Sequence, residues 1–178
     1  LIIPFLRIFS DPLFAGRMLS VVAGAITMLV VGKLARLLGG KEREELLAMA
    51  LVAVVPFWFL NHRMALADGL LALFFSMALY FGLRLFIKPR RFEIIAFALS
   101  FGAALWVKTT ALFFIPVYAC LPLLVVTLEN KKFSLKALKD AYVGKFTLKL
   151  IIGGLIAGSL FLLLKFSPLF PYLFKRSE

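Results

Sequence analysis

Apolar residues run along this chain in long blocks, and the charged residues gather in the short gaps between them. That pattern predicts membrane-length helices instead of the alternating faces of a soluble fold. Asp11-Pro12 marks the first start, because an aspartate can cap orphan amides and proline is tolerated in a first turn. A helix is therefore expected from Leu13 to about Leu38, closing at Gly39-Gly40, with Ala23, Gly24 and Ala25 suited to close helix packing. A second run, Leu46 to Leu60, follows Glu42, Glu44 and Glu45, acids well placed against the positive end of a helix dipole. A third extends from about Ala65 to Phe86.

The next apolar stretch, Phe92 to Thr127, holds 36 residues. As one helix it would be about 54 Å long, against a hydrocarbon core of about 30 Å. It has to fold back. Val107-Lys108-Thr109-Thr110 is the strong interruption, so the reversal is expected there, between two short spans, Phe92 to Trp106 and Ala111 to Leu128. A last run, Leu148 to Leu164, contains Gly154 and Gly158 at GxxxG spacing, a pattern that predicts a helix-packing face. Before it, Ser134 can cap a segment in which Leu135, Leu138 and Tyr142 share a face while Lys136, Lys139 and Asp140 point elsewhere. Such a segment is expected to lie along the membrane surface. The fold class is thus all-α: a polytopic transmembrane bundle of about six spans, plus a cytoplasmic amphipathic interfacial helix, in a single transmembrane domain.

Composition strengthens this picture. With 63% hydrophobic residues and a mean hydropathy of +1.02, the 178-residue chain has more apolar surface than one soluble core could bury. The net charge of +12 is then a topology signal. Four basic residues fall between Lys33 and Arg43, four between Arg84 and Arg91, and six between Lys131 and Lys149. Placing these connectors in the cytoplasm leaves seven basic residues on the other side, as the positive-inside rule prefers, with both ends of the segment outside. Nucleic acid is excluded as a partner, because the lysines and arginines sit in short connectors instead of on a solvated basic face. Cys120 stands alone, so neither a disulfide framework nor a cysteine metal cluster can form, and it is expected to face lipid or pack. P-loop, dinucleotide-glycine and HExxH motifs are missing, and no cofactor is predicted; whether a divalent metal takes part is left open. Leu1 is not an initiator methionine and no basic n-region precedes the first apolar residues, so the segment is expected to belong to a longer polypeptide.

Topology does not explain the external charges. Asp11, Arg17, Asn61, His62, Arg63, Asp68 and Lys108 all fall on the side opposite the basic connectors. Asp11 is assigned to capping. Asp68 lies in the first turn of a hydrophobic helix, where it either offsets the helix dipole or serves chemistry. Lys108, in equally apolar surroundings, is either a snorkelling turn residue or a point charge for a phosphate. Arg17 and Arg63 are either interfacial anchors or phosphate contacts. His62 is a candidate base or ligand, although a lone histidine more often serves only a loop.

Four stretches in this order resemble one family: Pro4-Phe5-Leu6 through Ala15-Gly16-Arg17-Met18-Leu19-Ser20; Lys33-Leu34-Ala35-Arg36-Leu37-Leu38-Gly39-Gly40; Asn61-His62-Arg63-Met64-Ala65-Leu66-Ala67-Asp68; and Gly102-Ala103-Ala104-Leu105-Trp106-Val107-Lys108-Thr109-Thr110. Together they resemble the GT-C superfamily of membrane glycosyltransferases, in the branch of the aminoarabinose transferases and protein O-mannosyltransferases, over roughly Pro4 to Thr127. The resemblance implies an enzyme that uses a polyprenyl-phosphate sugar as donor, with its site on the external or lumenal face. It further implies a protein, lipid or glycan acceptor and residence in the inner membrane of a prokaryote. It places Asp68 on the family's acidic position at the start of a span, Arg17 on its arginine opening the second helix, and Lys108 on the lysine after its glycine-containing run. The family's Gly-Pro after that lysine is replaced here by Thr109-Thr110. Its main catalytic acid, in the first external loop, would lie upstream of Leu1.

On this reading Asp68 is the catalytic candidate in this segment, positioning the acceptor or supporting the missing acid, and Lys108, Arg63, Arg17 and His62 are the substrate-binding candidates. A carboxylate can take the acceptor's proton while cations meet the developing charge on the departing phosphate. The alternatives are a transporter or flippase for a lipid or anionic solute, since intramembrane charges also mark transport routes, or a non-catalytic membrane subunit.

Overall fold

The computed structural model describes residues 8–9, 11–54, 67–87, 90–130 and 145–166. Among these, all regular elements are helical. Helix α1 spans Pro12–Leu37, α2 Glu42–Val54, α3 Ala67–Ile87 and α4 Arg91–Val107. A 3-10 helix, Thr109–Phe114, leads into the short α5, Ile115–Ala119, and α6, Leu121–Asn130; α7 spans Lys145–Lys165. His62 and Arg63, residues 55–60 of the expected second span, and the expected interfacial helix around Ser134 to Tyr142 lie outside the described residues.

Local chemistry accounts for the helix ends. The Asp11 side chain accepts a hydrogen bond from the Leu13 amide at 2.9 Å, with Pro12 opening the first turn. Helix α1 closes at Gly39, whose φ of 97° suits a residue without a Cβ. At α2 the Lys41 amide donates to Glu44 Oε2 at 2.8 Å, so the acids lie inside the first turn instead of ahead of it. Arg36 then meets Glu45 at 3.1 Å, tying α2 back onto α1.

Among the described residues two helices, α1 and α3, are long and apolar enough to cross a membrane. Large apolar side chains also point outward: Leu13, Phe14 and Leu29 on α1, Phe92 and Leu99 on α4, Leu155 and Leu163 on α7. An apolar outer surface of this extent suits hydrocarbon better than water. The inward face of α1 is built of small residues, Ala15, Gly16, Ser20, Ala23 and Thr27, which let α3 come close. Ser20 and Thr27 donate to the carbonyls of Gly16 and Ala23, so neither hydroxyl is left unsatisfied. Of the triplet expected to pack, Ala23 is buried and Ala25 exposed, as helical rotation requires.

The chain reverses at Lys108, as its interruption of the apolar run predicts. Beyond it, Phe114 packs on Phe75 with ring centroids 4.1 Å apart, and Tyr118 meets Phe97 and Phe101 at 5.5 and 5.2 Å, so the return limb runs back along α4. It is not the single span expected from Ala111 to Leu128. Pro116 and Pro122 each lack an amide donor and clash with a preceding turn, so each sits at the start of a new short helix.

Helix α7 corrects a second expectation. Gly154 and Gly158 face open space among the described residues. The face that packs lies one position away: a Cβ on Gly153 would stand 2.7 Å from Phe97 Cδ1, and one on Gly102 would stand 3.7 Å from the backbone of Ala157. One residue is about 100° of helical rotation, and α7 is apolar on every side, so the spacing of its glycines could not say which pair faces α4.

Candidate functional site

Lys108 stands at the break between α4 and the 3-10 helix, in extended conformation, its amide still bonded to Ala104 O at 3.0 Å. The helix has ended there but its last turn still holds the backbone, so the side chain can leave the α4 axis and reach a neighbouring helix. Its Nζ lies 2.8 Å from Asp68 Oδ1. Asp68 lies in the first turn of α3, where its negative charge also complements the helix dipole. The pair joins residues 40 apart in sequence, and both side chains are 46% exposed. It is therefore a charge-assisted contact open to solutes, and an anion can compete for it.

The remaining candidates are not joined to it. Arg17 is exposed in the second turn of α1 and makes no hydrogen bond or ion pair with Asp68 or Lys108. Arg63 and His62 fall outside the described residues. Among the described residues no group of three His, Cys, Asp or Glu side chains converges as metal ligands would.

Among the described residues, one cavity lies against α3 and another against the end of α4. The larger, about 630 Å³, is walled by Leu34, Leu38, Leu79, Leu83, Val117 and Cys120 among other apolar side chains, with no charged group. It offers a place for hydrocarbon and no means of catalysis. The smaller, about 200 Å³, includes Lys108, Thr109, Trp106, Phe161 and Lys165 in its wall. Lys108, the cation of the ion pair, thus stands in its wall.

Sequence reasoning missed two groups. Lys165, at the last turn of α7, entered only the count of external charges, yet it shares a cavity with Lys108. Its position at a span end on the same predicted side as Lys108 was the available signal. The other is Glu93, 1% exposed, which meets Arg84 at 2.9 Å. Arg84 also contacts Tyr80, through its hydroxyl at 3.4 Å and over its ring at 5.6 Å. An acid in the first turn after two arginines was the clue there, but it pointed to dipole compensation as readily as to pairing.

A helical bundle with this many large apolar side chains on its outer surface has the character of an integral membrane protein. Residues 1–156 match the family described as dolichyl-phosphate-mannose-protein mannosyltransferase, and the chain belongs to that family. This is a family of membrane glycosyltransferases of the GT-C type, as the four stretches of the sequence implied. Comparison with curated proteins and with solved structures returned no match.

Proposed function

We propose that this chain carries part of the active site of a glycosyltransferase that moves a sugar from a polyprenyl phosphate to an acceptor at the external face of a prokaryotic inner membrane. In the full topology it contributes six spans with the Asp68 end outside. The observation that carries the reading is the 2.8 Å contact between Asp68 and Lys108, two residues 40 apart that the family resemblance had singled out separately.

In this mechanism the donor phosphate enters the cavity beside Lys108 and competes with Asp68 for the ammonium. Asp68 takes the proton of the acceptor hydroxyl or amine, the freed electron pair attacks the sugar's anomeric carbon, and the bond from that carbon to the phosphate oxygen breaks. Lys108 meets the charge that collects on the departing phosphate. The donor thereby releases the base it needs, and an empty site keeps its acid neutralised. Arg17, Arg63 and His62 are further candidate contacts for the donor headgroup. The apolar cavity along α3 supports a lipid-linked donor, because it offers hydrocarbon on the same helix that carries the acid.

The test is turnover of a polyprenyl-phosphate sugar by the full-length protein in lipid nanodiscs. Asp68→Asn is expected to lower it about a hundredfold or more, and Lys108→Ala by a similar factor. Wild-type turnover in either variant would remove that residue from the mechanism. The broken return limb after Lys108 is the one observation that favours transport, since interrupted helices line many transport routes. Substrate flux across sealed vesicles without glycosyl transfer would favour that reading instead.

A further inference from the structure

We propose that Lys165 is the second cation of the Asp68–Lys108 site and balances the charge that the lipid phosphate gains as the sugar leaves. This rests on the transferase reading above. Residue 165 lies beyond the 1–156 stretch that matches the family, so membership assigns it no part in the reaction.

Helix packing sets its position. Gly153 on α7 meets Phe97 on α4, and Ala157 meets Gly102, so contacts advance in the same direction on both helices and the two run parallel. Lys108 follows Gly102 by six positions and Lys165 follows Ala157 by eight, which carries both about 9 to 12 Å toward the same end. There they wall one cavity of about 200 Å³, together with Thr109 and Trp106. The Lys165 ammonium lies over the Phe161 ring, 5.6 Å from its centroid, and has no carboxylate partner among the described residues. Lys108 is already neutralised by Asp68 at 2.8 Å. The site therefore carries one uncompensated positive charge, and Lys165 supplies it.

That charge matches the substrate class. A polyprenyl-phosphate sugar is a phosphodiester with one negative charge, so with Asp68, Lys108 and Lys165 the loaded site sums to zero. During transfer a bond forms between the acceptor atom and the anomeric carbon. The acceptor's proton goes to Asp68, and the electron pair of the broken sugar–phosphate bond stays on the phosphate oxygen. The product is a monoester approaching two negative charges, as its second ionisation near pH 6 allows. Asp68 is then neutral, and Lys108 and Lys165 together face the dianion, so the sum is again zero. Without Lys165 the product state would hold one negative charge with no cation beside it in the cavity wall. Lys165 accordingly acts on the departing group more than on the bound donor.

The experiment uses the full-length protein in nanodiscs, with turnover of a polyprenyl-phosphate sugar and direct binding of sugar-free polyprenyl phosphate. Lys165→Gln is expected to lower kcat about tenfold or more, while KM changes less than about threefold. Its affinity for polyprenyl phosphate should fall about tenfold, and Lys165→Arg should recover both. Because Lys165 is exposed, neither variant disturbs the core. Wild-type kcat and polyprenyl-phosphate affinity in Lys165→Gln would overturn the proposal. Asp68→Asn with undiminished turnover would instead overturn the site reading beneath it. Inorganic phosphate binding as tightly as the lipid form would overturn the assignment of a lipid-linked ligand.

Discussion

At one end of the α3–α4 pair, Arg84 and Glu93 meet at 2.9 Å with the carboxylate 1% exposed; at the other, Lys108 and Asp68 meet at 2.8 Å with both side chains 46% exposed. About 24 Å of helix separates Asp68 from Arg84, so the two pairs bracket most of a hydrocarbon layer of about 30 Å. The distances are nearly equal and the consequences are opposite. Glu93 cannot lose Arg84 without becoming a buried, uncompensated charge, and its Oε2 already has no hydrogen-bond partner among the described residues. Asp68 and Lys108 can part and be solvated, or be claimed by a ligand, at little cost to the fold. Burial, not distance, makes one pair a fastener and leaves the other available for chemistry.

The largest effect should come from the buried end. Arg84→Ala is expected to destabilise the protein by about 3 to 5 kcal/mol, read as reduced resistance to denaturing detergent. A loss under about 1 kcal/mol would remove the distinction drawn here. Next is Asp68→Asn, whose hundredfold loss of turnover corresponds to about 2.7 kcal/mol of transition-state stabilisation, while folding stability should move by no more than about 1 kcal/mol. A large stability loss in Asp68→Asn would make the exposed pair a fastener too.

Adjacent glycines on α7 extend the contrast to its packing. Gly153→Ala pushes a methyl group into Phe97 and is expected to cost about 1 to 3 kcal/mol. Gly154→Ala meets nothing and should be neutral or stabilising by up to about 1 kcal/mol. Equal effects at the two positions would contradict the orientation of α7. The smallest change in stability is expected from the exchanged pair Asp68→Lys with Lys108→Asp, which restores attraction within about 1 kcal/mol of wild type. Turnover should not return with it, because the acid and the cation would stand on each other's side of the substrate; recovery of activity would reduce the pair to a structural contact.

The class of fold was legible because hydrocarbon length and backbone hydrogen bonding leave few options for blocks this apolar. Helix ends were legible where a local cap sets them, as at Asp11-Pro12 and Gly39, since those bonds reach only a few residues. That the chain reverses followed from length, and the place of the reversal at Lys108 from the polar interruption of the apolar run. Its broken return limb is marked by Pro116 and Pro122, which hydropathy alone does not distinguish from a continuous span. The candidate site was partly legible: Asp68 and Lys108 stood out as charges in apolar context, whereas Lys165, like Glu93 at the other end, looked like the ordinary charges that flank any span.

By itself, then, the sequence determined the starts of α1 and α2, the approximate limits of α3, α4 and α7 and the scarcity of charge inside them, because these depend on neighbours a few residues away. Tertiary structure alone decided which charges meet, which glycine of α7 touches α4, and which cavity Lys108 and Lys165 wall together. Those outcomes depend on the rotation and height of one helix against another. A helix that is apolar all round carries no mark of its own rotation; its partners supply it.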